Sequence, residues 1–148
     1  LLEYARNVSG LKEAGHLMYD PNASVPLIVP ASCPVAERPK DTPRLSGKLK
    51  IKVSPGSLAF HIYHQLEIEE AFHCSYELNP VYRGTIKRTG MRITGVGEQG
   101  EARIVELPDH RFFIATLFQP QLTSEMERPH PLITAYLEAV TGFTNQSI

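Results

Sequence analysis

Three apolar runs in the second half of the chain constrain the fold more than anything else in it. They are "MRITGV" at 91–96, "ARIVEL" at 102–107 and "FFIATLF" at 112–118, separated by loops built on "GEQG" and "PDHR". Each run is too short for a stable helix, and each loop is too short for a crossover, so the runs read as successive hairpin-linked strands. "FFIATLF" is apolar at every position but one, hence on both faces. Such a strand is expected at the centre of a sheet covered on both sides. The helices legible in the sequence are few for that task. The sheet is therefore expected to pack on a partner, or on a part of its domain beyond this segment.

The remaining elements follow from periodicity and punctuation. "LLEYARNVSGLKEAG" has apolar residues at 1, 2, 5, 8 and 11, a helical spacing that Gly10 or Gly15 would end. No capping residue precedes it, so the helix is expected to be entered partway. Six prolines then fall between residues 19 and 43, which predicts a loop with at most one extended piece, "PLIVP". "RLSGKLKIKV" alternates at period two and predicts a strand; "SPGS" predicts a turn. "SLAFHIYHQL" predicts a short helix capped by Ser57. "EIEEAFHCSYEL" is strand-like towards its end. "NPVYRGTIKRTG" predicts a short helix with Asn79 as cap, Pro80 at its first position and Gly90 at its end. "HPLITAYLEAV" predicts a final helix with apolar residues at 132, 133, 136, 137 and 140.

Charge and cysteine usage exclude some functions. The formal net charge is −1, and the densest basic run, "GKLKIK", alternates along a strand. A nucleic-acid or anionic-membrane partner, which needs a concentrated basic face, is not expected. No apolar run approaches the ~20 residues of a membrane span. Cys33 and Cys74 have no metal-motif spacing and read as reduced thiols of a cytoplasmic protein. His61 and His64, at i and i+3, could chelate a metal, but no third ligand is evident. No cofactor or metal is expected.

Several blocks carry a family resemblance in one order. "ELPDHRFFIATLFQPQLTS" followed by "RPHPLITAYLEAV" resembles the end of the class I glutamine amidotransferase domain of CTP synthase. That family has Glu-Leu-Pro-x-His, an apolar strand, Phe-His-Pro-Glu, a short loop and Arg-Pro-His-Pro-Leu. "LLEYARNVSGLKEA" resembles its helix after the nucleophile elbow. "DTPRLSGKLKI" stands where the family has Gly-Gly-Thr-Met-Arg-Leu-Gly, and "SYELNPVYRGTIKRTGMRITG" resembles its Arg-Tyr-Glu-Val-Asn block. The likeness runs from residue 1 to about residue 140. Within the family it is greatest to the small stand-alone proteins related to the CTP synthase C-terminal region, in which Phe-Gln-Pro also occurs. The resemblance implies an α/β fold: the C-terminal part of a flavodoxin-like three-layer sandwich with added antiparallel strands. It also implies that residues 1–148 form a single domain lacking its N-terminal portion with the nucleophile elbow. Pairing with that portion, or homo-oligomerisation, is expected.

The resemblance implies that the family's catalytic His and Glu correspond to Gln119 and Gln121. The His takes the cysteine thiol proton, and the carboxylate orients the imidazole. An amide does neither near neutral pH. The family's Glu and Arg, which hold the charged ends of glutamine, correspond to Met18 and Ser75, next to Tyr76. A methionine cannot balance an ammonium, and a serine hydroxyl cannot replace a bidentate guanidinium. Further residue-level expectations complete the picture. Gln119 and Gln121 either hydrogen-bond loop backbone at the strand end or line a ligand pocket, with Gln119 opening onto a cleft at the strand's C-terminal end. His73 and Cys74 point to opposite faces, His110 and His130 are structural, and Tyr76 and Glu77 support the pocket wall rather than perform chemistry. Three functions remain open at this point: a domain without glutaminase activity that binds a small molecule or partner, an enzyme whose cysteine nucleophile lies upstream of this chain, and an assembly element.

Overall fold

The computed structural model describes residues 1–31, 46–73 and 75–144. Cys33 and Cys74, on which two sequence readings rest, lie outside the described residues.

The first helix, α1 (Leu2–Asn7), is short, and Gly10 at φ +74° follows it. The predicted helix stops well before Gly15. Residues 14–16 instead form β1 (Ala14–His16), a strand that the sequence pattern did not suggest. Gly15 is required there because a Cβ would stand 2.6 Å from that of Ala23. β2 (Val25–Pro30) is the extended piece expected in the proline-rich tract. It runs parallel to β1 and antiparallel to β5 (Tyr76–Leu78), giving a three-stranded sheet of order β1-β2-β5.

The second sheet has five antiparallel strands in the order β4-β3-β6-β7-β8. β3 (Ser46–Val53) buries Leu49, Ile51 and Val53 and turns Lys48, Lys50 and Lys52 outwards, as period two requires. β4 (Glu67–His73) sends Ile68, Glu70 and Phe72 inwards. β6 (Arg92–Val96), β7 (Ala102–Glu106) and β8 (Ile114–Thr116) are the three predicted strands. Gly95 marks an irregular register in β6, where a Cβ would sit 2.5 Å from Ile104.

Three helices cover these sheets. Ser57 caps α2 (Leu58–Tyr63) by accepting from the Phe60 N–H, as predicted. Asn79 accepts from the Val81 N–H at a 3₁₀ turn, Pro80–Tyr82, which leads into α3 (Arg83–Arg88). The final helix is α4 (Pro131–Thr144).

Two apolar clusters result. One joins α1, β1, β2, β5 and α3 through Ala5, Ala14, Leu27, Leu78, Ile86 and Met91. The other fills the five-stranded sheet under α2 and α4 through Ile51, Ala59, Phe72, Phe118 and Leu132. β7 is the wall between them: Val105 belongs to the first and Ile104 to the second. All five of its residues are buried. This corrects the expectation for "FFIATLF". Its faces do meet both clusters, with Ala115 on one and Ile114 on the other, yet β8 is the edge strand of its sheet and only half-buried. The central, doubly covered strand is β7, whose Arg103 and Glu106 hid that role in the sequence.

Candidate functional site

Gln119 follows β8 at the entrance of a 3₁₀ turn, Pro120–Leu122. Its backbone N–H donates to the Ala71 carbonyl at 3.2 Å, and its side-chain Oε1 accepts from the His73 N–H at 2.6 Å. Both bonds go to β4, the opposite edge of the sheet from β8. The residue thus ties the two edges together with groups that β4 would otherwise leave open. Gln121 lies on the 3₁₀ turn and is exposed. The Gln119 side chain is thus engaged by strand backbone far away in sequence. Gln119 does not line the cavity of about 570 Å³ beside α2.

The other positions that the resemblance singles out, Met18, Ser75 and Tyr76, lie at the ends of β1 and β5. Met18 is exposed, and its N–H donates to His16 Nδ1 at 3.1 Å. The His16 ring lies 4.5 Å from that of Tyr76, centroid to centroid. Ser75 is buried, and its carbonyl accepts from the Ala31 N–H at 2.8 Å. Met18 and Tyr76 therefore meet across His16, while Gln119 joins the same region through His73, two residues before Ser75. His16 contributes an imidazole to this group. Burial holds it below its ordinary pKa, and its Nδ1 lone pair is taken by the Met18 N–H.

Buried polar groups elsewhere in the sheets have structural partners. Glu70, on the inward face of β4, accepts from the Tyr63 hydroxyl at 2.5 Å and lies 3.0 Å from His130 Nε2. His130 Nδ1 accepts from the Leu132 N–H at 3.2 Å and so caps α4. That bond fixes the tautomer: Nε2 carries the proton and donates to Glu70. Burial, then the bond to Glu70, pushes the Tyr63 hydroxyl far above its ordinary pKa. His130 is structural, as expected. Glu70 and Tyr63 were missed, although the parity of "EIEEAFH" places Glu70 between the inward Ile68 and Phe72. Glu77 pairs with Arg103 at 3.7 Å; both are buried, and Arg103 also bonds Glu101 at 2.8 Å. Burial pushes the Glu101 carboxyl up, but the Arg103 hydrogen bond and charge, with local backbone donors, hold it below the usual range.

Glu106 was also missed. Its carboxylate accepts from the backbone N–H groups of Leu58 and Ala59 at 2.9 and 2.8 Å and from Thr94 Oγ1 at 2.8 Å. It lies at one side of a cavity of about 570 Å³ that His61, Lys87, Arg92 and His110 also line. His64, three residues beyond His61, is the left-handed cap of α2 at φ 54° and does not line it. Among the described residues no three His, Cys, Asp or Glu side chains stand together as metal ligands. No described helix is long and apolar enough to cross a membrane.

No protein-family model matches the chain. It is 34% identical over 147 residues to a CTP synthase of Sulfolobus acidocaldarius, matching 96% of this chain and 27% of that protein. It is 36% identical over 147 residues to a CTP synthase of Nostoc punctiforme, matching 97% of this chain and 27% of that protein. The chain thus spans about a quarter of the length of these curated relatives. Among solved structures, the glutaminase domain of a Trypanosoma brucei CTPS with bound acivicin superposes with a TM-score of 0.85 at 23% identity. That match covers 95% of this chain and 55% of the other.

Proposed function

Because the chain is a homologue of the CTP synthases and has the class I, flavodoxin-like fold of a CTP synthase glutaminase domain, we propose that it is a form of that domain without glutaminase activity. It keeps the fold to bind a small molecule or to regulate a partner. The observation that carries this reading is the carboxamide of Gln119. It stands where the resemblance puts the family's general base, and its oxygen is committed to the His73 N–H. An imidazole there would take a proton from the nucleophile; the amide cannot. Gln121, Met18 and Ser75 add to the case, because the imidazole's orienter and both charge clamps are replaced with it.

The test is ammonia release from glutamine by the full-length protein, with the Gln119→His variant beside it. Neither is expected to turn glutamine over, because the single replacement restores neither the carboxylate nor the clamps. Turnover by the unaltered protein in the ordinary enzyme range, roughly 1 to 10³ per second, would instead favour cysteine chemistry supported by a base outside the positions named here.

A further inference from the structure

The cavity beside α2 combines an apolar floor with cationic walls. Met91, Ile93 and Phe113 supply the floor. The positive and imidazole groups come from four separate places: His61 at the last turn of α2, Lys87 at the last turn of α3, Arg92 at the start of β6 and His110 in the β7–β8 loop. Arg111, next to His110, lines it too. The volume of about 570 Å³ falls within the range of small-molecule sites, roughly 300 to 1,000 Å³.

The electrostatics favour one ligand class. Glu106 is the acid of the lining, and its two oxygens are already engaged by three donors within the fold, so it forms no ion pair with Lys87 or Arg92. Among the described residues neither Lys87 nor Arg92 makes an ion pair, and both are exposed. The His110 Nδ1–H donates to the Phe112 carbonyl at 3.1 Å, which leaves its Nε2 for a ligand. Cations converging from several directions suit a tetrahedral group with three charged acceptor oxygens better than a planar carboxylate. We infer that this cavity binds a phosphorylated small molecule, its phosphate held by Lys87 and Arg92 and its body laid on Met91 and Phe113. The inference supplies a ligand class for the binding role proposed above. It does not depend on the loss of hydrolysis, because ammonia release and anion binding are read separately.

Inorganic pyrophosphate is the probe, titrated calorimetrically into the full-length protein, with the His61 and His110 imidazole resonances followed by NMR. Saturable binding that shifts both imidazoles is expected. Lys87→Glu together with Arg92→Glu should weaken it at least about tenfold, as the loss of two charge-assisted contacts implies. Lys48→Glu with Lys50→Glu, on the wet face of β3, should change it less than about twofold, since distant exposed charges are screened. The single variants Lys87→Ala and Arg92→Ala repeat the test should the double reversal lower the melting temperature. No saturable binding, equal loss in the β3 control, or tighter binding of citrate than of pyrophosphate would overturn the assignment.

Discussion

Gln119 holds a strand edge, and that role has a measurable size. Its Oε1 accepts from the His73 N–H, so Gln119→Ala removes a hydrogen bond and leaves that donor to solvent. A loss of about 1 kcal/mol in denaturant stability is expected, the usual net value of such a bond. Glu106 carries more. Its two oxygens meet three donors inside the fold. In Glu106→Gln one amide N–H group would face a backbone N–H of Leu58 or Ala59, leaving a buried donor unpaired. That costs on the order of 2 kcal/mol, again read by denaturation. At this scale the sequence was only partly legible. Gln119 and Gln121 were found through the resemblance. Glu70 and Glu106 were not, because a buried carboxylate looks like any surface acid until its partners, distant in sequence, are brought to it.

Among the elements, α2 and α4 depend on one buried cluster. Tyr63, in the last turn of α2, and His130, the cap of α4, both bond Glu70 on β4. This cluster has a pH signature. The Tyr63 hydroxyl is raised above its ordinary pKa of about 10 by burial first and by Glu70 second. The folded protein therefore keeps a proton that the unfolded chain releases. The stabilisation is fully present below the unfolded value and is lost as pH rises above about 10. Tyr63→Phe removes the hydrogen bond and lowers stability at pH 8, but it also removes this alkaline loss. The stability gap between the two proteins should narrow between about pH 8 and 11, as urea denaturation at both values would show. The strands were legible in proportion to their pattern. β3 alternates strictly and was read correctly, whereas β1 is three residues long and lies in "KEAGH", which carries a helical bias. β8 was read as central because its apolar residues face both clusters; that it forms an edge depends on strand order, which periodicity does not encode.

The whole molecule is organised by β7, which separates two apolar clusters and packs on both. Ile104 is fully buried and fills the space over Gly95. Ile104→Ala should cost about 2 to 5 kcal/mol and should loosen the register of β6 against β7, visible as lost amide protection in both strands. The α/β class and the glutaminase-domain fold were legible from blocks in order. The cavity of about 570 Å³ was not, because its lining comes from four stretches of chain whose meeting only the fold reveals. The central claim concerns the strand end at which Gln119 stands, and ammonia release from glutamine by the full-length protein tests it most directly. The account predicts release no faster than the enzyme-free background, with or without Gln119→His. Sustained release at roughly 1 to 10³ per second by the unaltered protein would contradict it.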